Sequence, residues 1–407
     1  MRRMLCVLAI VAVSGCTDEP PTAASMELTE HRGKEFSSNK EYEVVTLPPA
    51  GASDRGMGIN NRGWVAGFTA REDGSREAIL WLGERVIELG TLGGPSSMVP
   101  WPGVNDWGMV VGISHTGEVD SLNEGWSCEE GAFLPQTNPR QICRGFFSAW
   151  GTMYELPTLG GTHGFAAAVN NRGQVVGWAE TPVHDPTCVG IQVLQFKAVM
   201  WEPLRGKTHE LSPFPGDSAS AATAINARGQ AVGISGDCDQ AVGRFSARRA
   251  VIWQHGSVQE IPNLGGTTWH TPMDINERGD VVGFSNPEGE GDPEGAFIAH
   301  AFYWRHGSDR VKDLGVLDGD GFSQAMGINN RGDIVGVSFG GDAGPRGVIW
   351  RNGRRENLND LVDIGDDVIL SAQHINDRRQ ITGRLTDSET GRVVAFVATP
   401  KRHRRHR

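Results

Sequence analysis

Three sets of side chains in this 407-residue sequence are of types that do chemistry. The first is aromatic and imidazole: Trp101, His163, Phe165, Trp269, His270 and Phe322 come soon after glycine-rich turns or short Gly-containing loops. Aromatic faces beside histidine suit stacking of a sugar or capture of a small ligand, and the same residues serve equally well as packing between sheets. The second set is acidic. Asp318-Gly319-Asp320-Gly321 and Glu288-Gly289-Glu290-Gly291-Asp292-Pro293-Glu294 offer hard oxygen donors for Ca²⁺, but neither has a full calcium-loop pattern, so solvated acidic loops are the expectation and no cofactor is assigned. The third set is sulfur, in Cys128, Cys143, Cys188 and Cys238. Nucleophile elbows, His-Glu-x-x-His pairs, phosphate loops and dinucleotide turns are all absent from the sequence, which therefore offers no catalytic residue.

What must position these residues is a repeat. The pattern Ile/Val-Asn-x-x-Gly-x-Val-x-Gly begins at Ile59 and recurs around Asn60, Asn105, Asn170, Asn226, Asn276, Asn329 and Asn376. Each asparagine is followed seven residues later by a glycine: Gly67, Gly112, Gly177, Gly233, Gly283, Gly336 and Gly383. Intervals of 45 to 65 residues with strand-like composition mean one supersecondary unit repeated in space.

Residues 154–201 show the expected strands. Tyr154–Leu159 alternates and ends at Gly160-Gly161; Phe165–Val169 is apolar; Gln174–Trp178 returns after Asn170-Asn171-Arg172-Gly173; Ala198–Trp201 completes the set. Asparagine can bond its own backbone and glycine supplies a positive φ, so Asn-x-x-Gly is a tight hairpin connection. The last strand recurs as Ala78–Trp81, Phe147–Trp150, Ala250–Trp253, Ala301–Trp304 and Gly347–Trp350, so six of the 12 tryptophans share one position. They are expected to pack between sheets, with the motif glycines making room for their rings.

Seven such units specify an all-β fold, a seven-bladed β-propeller of four-stranded antiparallel blades over residues 42–400. The last repeat stops after Ala395–Ala398, without the strand that follows tryptophan elsewhere, while Tyr42–Leu47 matches the pattern of Tyr154–Leu159. The N-terminal strand is therefore expected to complete the last blade and remove two free sheet edges.

The ends bound the location. Met1-Arg2-Arg3, the apolar stretch Leu5–Val13 and the small residues before Cys16 form an export signal over residues 1–15. It resembles a bacterial lipoprotein signal, which implies lipidation of Cys16; Thr17 after it implies, by the same resemblance, sorting to the outer membrane, facing the periplasm or the cell surface. Residues 16–41 read as the lipidated cysteine and a flexible tether, and the basic segment 401–407 as a solvated tail. The net charge of -11 argues against nucleic acid as a ligand, and membrane contact is expected through the lipid alone.

The phrases Leu89-Gly90-Thr91-Leu92-Gly93-Gly94, Gly58-Ile59-Asn60 and His300-Ala301-Phe302 resemble those of the HAF-repeat extracellular proteins across residues 42–400. Only one repeat keeps the literal His-Ala-Phe, and Arg379 replaces a turn glycine in the last. The resemblance implies an exported, repeat-built protein and brings no catalytic residues.

In antiparallel blades, connections alternate between two faces. The Asn-x-x-Gly turns share one face; the loops after the following strand and the Gly-Gly turns share the other. Asparagine-to-tryptophan separations of 21, 45, 31, 27, 28 and 21 place insertions in the second to fifth repeats on that second face, which repeat proteins often use for binding. All four mature cysteines fall in these inserts; the even count in an exported chain favours disulfides, and their positions favour Cys128–Cys143 within a blade and Cys188–Cys238 between blades. The expected function is a monomeric, lipid-anchored envelope module that binds a polysaccharide, peptide or protein through its insert-bearing face, with Trp101, His163, Phe165, Trp269, His270 and Phe322 around the channel mouth. The alternatives are a secreted propeller enzyme of lyase or glycoside hydrolase type and a purely structural envelope protein. Converging carboxylates or histidines in a cleft would favour the enzyme.

Overall fold

The computed structural model describes residues 40–401 apart from 126–127, 130–132, 150, 189, 240–242 and 290–295. The expected signal, Cys16, most of the tether, Trp150, Glu290–Glu294 and tail residues 402–407 lie outside the described residues. Alternating side chains and glycine turns fold as strands, and the described residues form seven four-stranded antiparallel sheets. The first strands of these sheets are Ser53–Ile59, Ser97–Met98, Gly164–Val169, Ala219–Ile225, Thr271–Ile275, Phe322–Ile328 and Val368–Ile375. Most touch the next of their kind around a central axis, and the circle closes through Val368–Ile375 against Ser53–Ile59. The fold is a seven-bladed β-propeller.

Closure follows the expected route. Tyr42–Thr46 pairs antiparallel with Val393–Pro400, from Tyr42 opposite Pro400 to Thr46 opposite Phe396. Strands at the two ends of the chain thus share one sheet, and the ordering entropy of each is offset by a full ladder of backbone bonds.

Two expectations about the blade need correction. The frame is shifted by one strand: Thr152–Glu155 pairs with Gln141–Ala149 as the outer strand of the preceding blade, and Leu156–Leu159 is not strand. The third blade instead runs Gly164–Val169, Val175–His184, Leu194–Glu202, Lys207–Leu211. The hydrophobic alternation marks a strand but cannot say which side of the Gly-Gly turn owns it. The motif glycines also do not face the tryptophans. Trp81 pairs with Val65, whereas a Cβ on Gly67 would lie 1.9 Å from the Arg55 carbonyl oxygen. The first strand bulges between Gly56 and Gly58, which drives its backbone over the glycine, and the same clash recurs at Gly177 with Phe165 and at Gly336 with Gln324.

The tryptophans do pack between sheets. Trp81, Trp201, Trp253, Trp304 and Trp350 are buried. Trp81, Trp201, Trp253 and Trp350 donate their indole N–H to the carbonyls of Pro48, Pro157, Ser212 and Leu314, each just past the outer strand of the preceding blade. Trp304 donates within its own blade, to Ser308. Each seam carries its own apolar cluster, such as Val232, Ile252, Ile275, Val281 and Phe302 around Trp304. Burying each such side chain stabilises by about 1.5–3 kcal/mol.

Candidate functional site

The insert-bearing face is closed. Met57, Met98, Phe165, Ala221, Met273 and Met326 from the first strands join Phe133, Leu134, Ala247 and Ala299 from the inserts in one buried cluster. The inserts therefore cover the channel end that the sequence placed as an open mouth. Trp101, His163, Phe165 and His270 are all but fully buried, Trp269 is buried and Phe322 is half-buried. Phe165 stacks on Trp178 at 4.0 Å, Trp101 meets both Phe133 and Phe165 edge-on, and Phe297 sits against Trp269, Phe322 and Phe339. The expected ligand ring is thus packing material, because insert side chains occupy the space that a ligand would need.

Two disulfides staple this cap, Cys128–Cys143 and Cys188–Cys238, with Cα separations of 6.2 and 4.2 Å. The inserts and the Gly-Gly turns do share a face: a Cβ on Gly161 would meet the Cβ of Glu180 at 2.5 Å. Beneath the cap lie buried polar groups. Asp120 accepts from the backbone N–H groups of Leu122 and Glu124, Glu124 accepts from Val193 and Leu194, and Glu180 accepts from Thr162 and His163. Burial, with Glu180 close by, pushes the Glu124 carboxyl up to about 7. Donor atoms of Asp120, Glu124 and His163 lie within 4.8 Å of one another, a spacing a cation can use. The histidine argues against one. The Cys143 N–H donates to His163 Nδ1 at 3.2 Å, which leaves the ring proton on Nε2, 3.6 Å from Asp120. Burial opposes charge on the ring, but Glu180, Asp120 and Glu124 raise its pKa, so it holds a proton where a cation would need a lone pair. His270 is neutral: burial lowers it to about 4, and its nitrogens meet the Ser285 hydroxyl at 2.7 Å and the Gly266 carbonyl at 3.0 Å. Of the acidic loops, Asp320 is paired with Arg346 at 2.8 Å, while Asp318 is exposed. Those two carboxylates do not converge.

The opposite face is open and is organised as three concentric rings. Innermost, each repeat asparagine accepts through Oδ1 from the N–H groups two and four residues on, as Asn60 does from Arg62 and Trp64. Its Nδ2 donates to the carbonyl of the next repeat's asparagine: Asn60 to Asn105, then Asn170, Asn226, Asn276, Asn329 and Asn376, which returns to Asn60. The seven bonds span 2.8–3.4 Å and form a closed circuit joining all blades. The glycine three residues after the asparagine has a positive φ, +84° at Gly63; Arg379 takes the same conformation at +64°.

The next residue in each turn builds a second ring. The N–H of Asn61 donates to Asp106, that of Asp106 to Asn171, Ala227 to Glu277, Glu277 to Asn330, Asn330 to Asp377 and Asp377 to Asn61. The circuit breaks only between Asn171 and Ala227, where alanine has no acceptor. The third ring is arginine. Six repeats place an exposed arginine two residues after the repeat asparagine, namely Arg62, Arg172, Arg228, Arg278, Arg331 and Arg378, and the remaining one places Trp107. Arg278 and Arg331 reach the next turn's carbonyls at Asn330 and Asp377, and Arg62 lies over Trp64. Arg172, Arg228 and Arg378 make no side-chain hydrogen bond or ion pair among the described residues. The sequence signal for this ring is Asn-x-Arg-Gly, spelled in five of the seven repeats.

These rings surround a polar well of about 160 Å³, lined by turn residues of all seven repeats together with Thr223, Asp274 and His374. Asp274 Oδ2 and His374 Nε2 stand 3.6 Å apart across Gly327, where a Cβ would press on His374 at 3.0 Å. Both are also tied to backbone: Asp274 accepts from Ile328 and His374 Nδ1 meets the backbone of Ile59.

No protein-family model matches the chain, and no curated protein matches it. Solved structures do resemble it in fold. The β-propeller domain of the Trilobed protease from Pyrococcus furiosus is 10% identical with a TM-score of 0.46, covering 86% of this chain and 94% of its own. An oligogalacturonate lyase solved with manganese is 10% identical at 0.46, covering 92% and 97%. Pyrococcus horikoshii acylaminoacyl peptidase is 11% identical at 0.47, covering 90% of this chain but 53% of its own. At such identities the likeness concerns the propeller alone.

Proposed function

We propose that this propeller is a binding module of the cell envelope whose ligand face is the Asn-turn face, and that the ligand is anionic. The observation that carries this reading is the ring of exposed arginines at one position of six repeats, around a polar well on the open end of the channel. Guanidinium groups match carboxylate and phosphate geometry, and several on one face attract an anion that a single one would not hold. The carboxylates of the second ring, Asp106, Glu277 and Asp377, keep their charge while accepting from backbone N–H groups, so the well itself is acidic and the anion is met by the arginines outside it. Export and lipidation at Cys16, with the HAF-repeat resemblance, belong to the same proposal. The test is titration with polygalacturonate against neutral dextran. Polygalacturonate alone should bind, weakening as salt rises, and the triple variant R172E/R228E/R378E should lose roughly tenfold or more in affinity. Equal binding by wild type and variant would refute the assignment.

The Asp274–His374 pair is not arranged as an oriented general base: Nδ1 is held by the Ile59 backbone and Nε2 faces the carboxylate at 3.6 Å, so neither ring nitrogen is free for a substrate.

A further inference from the structure

We propose that the Asn-turn face docks on an anionic lipid surface, with Trp107 and Leu204 seated among the headgroups and the surrounding arginines on their phosphates. This rests on the anionic-ligand reading above and names the partner. Three observations on the same face carry it.

The first is an apolar point inside the cationic ring. Trp107 stands where the other repeats have arginine and is 53% exposed; Leu204, in the short 3₁₀ turn Pro203–Arg205, is also 53% exposed. The two belong to adjacent blades yet converge on one turn: a Cβ on Gly173 would lie 3.5 Å from Leu204 Cδ1 and 3.5 Å from the Trp107 ring. An exposed indole and a leucine side by side are poorly hydrated and unpaired, which suits a ligand with an apolar layer beneath its charge.

The second is the charge around that point. Arg172 is the exposed neighbour within the same Gly173 turn, and Arg205 beside Leu204 has its side chain 73% exposed and, among the described residues, pairs with Glu202. A soluble acidic polysaccharide would use the arginines and stack a sugar on Trp107, but would leave Leu204 idle. A membrane interface uses all of them, because indole and leucine partition among headgroups and acyl chains while basic side chains meet anionic phosphates.

The third is where the chain leaves the ring. Tyr42 pairs with Pro400, and the Lys401 N–H donates to the Glu41 carbonyl, at the end of the last blade where third and fourth strands join in the other blades. Those joins, such as Pro203–Arg205, lie on the Asn-turn face. Both ends of the described chain, at Glu41 and Lys401, therefore lie on the face that carries Trp107. An anchor on that side brings the same face to the bilayer it is attached to, and raises its effective concentration there.

The test uses the full chain carrying Cys16→Ser, so that no acyl group contributes, and vesicles of phosphatidylcholine with or without about a quarter phosphatidylglycerol. Cosedimentation should favour the anionic vesicles roughly tenfold. The double variant W107S/L204S should lose at least about fivefold on vesicles, L204S alone should keep its polygalacturonate affinity, and Tm should stay within about 2 °C because both side chains are exposed. R172E/R228E/R378E should lose both ligands. Unchanged vesicle binding by W107S/L204S overturns the docking mode. Polygalacturonate binding with no vesicle binding overturns the lipid assignment and leaves the anionic-ligand reading standing, whereas binding to neither overturns both.

Discussion

The two faces of this propeller differ in how they treat repetition. On the insert face the repeats diverge, and divergence has been spent on closure: two disulfides, an aromatic plug and buried carboxylates held by backbone N–H groups. On the Asn-turn face the repeats agree, and agreement builds circuits of hydrogen bonds with a band of arginine outside them. Variable loops are often read as binding loops. Here variation marks the lid, and the near-uniform turn builds the open face, because seven copies of one short turn converge on a single axis.

Five measurements would break or sharpen that contrast. Cys188→Ser/Cys238→Ser should have the largest effect, a loss of about 3–4 kcal/mol, since the bridge spans 50 residues and joins two blades; denaturant unfolding reads it, and anionic binding at the other face should survive. Asn226→Ala should cost about 3 kcal/mol, because it deletes the bond to Asn276 and strands the N–H groups of Arg228 and Gln230. Asn171→Ala should cost less than about 1 kcal/mol, as the second ring already tolerates Ala227. A loss as large as that at Asn226 would show that the outer circuit is structural too.

The fourth prediction concerns pH and belongs to the insert face. Glu124 is raised to about 7 in the fold against an ordinary value of 4.5, so the folded chain holds that proton more tightly than the unfolded one. Its contribution is complete below about pH 4.5 and is lost as pH rises through 7. Tm should fall across that window by an amount equivalent to roughly 2 kcal/mol, and Glu124→Gln should remove this part of the slope. A wild-type profile that E124Q leaves unaltered would place the buried charge elsewhere. The smallest effect is expected at Arg379→Gly, which relieves a left-handed backbone but gives up the ion pair with Asp333; these oppose each other within about 1 kcal/mol.

Much of this was legible in the sequence. The asparagine period gave the blade number, the strand missing after Ala398 and present at Tyr42 gave the closure, and cysteine placement gave both pairings. The tryptophan position was readable as packing because one apolar side chain recurring at one strand position has to face a neighbour. What failed did so for spatial reasons. Trp101, His163 and Phe165 were placed at a channel mouth by their position after turns, but whether a mouth is open depends on where Phe133, Leu134 and Phe297 come to rest. The motif glycine was assigned to a tryptophan ring when a bulged carbonyl occupies that space, since sequence does not reveal a bulge in the partner strand.

By itself the sequence determined the local and periodic features: strand, turn, period, and the asparagine and glycine that each turn requires. Those follow from backbone conformation and from side-chain types a few residues apart. Only the tertiary structure decided that Asn376 hands its bond back to Asn60 across 316 residues, that the inserts seal one end of the channel, and that Trp107 and Leu204 meet over Gly173. The reason is closure: bending seven sheets around one axis brings together groups whose distance along the chain carries no information about their distance in space.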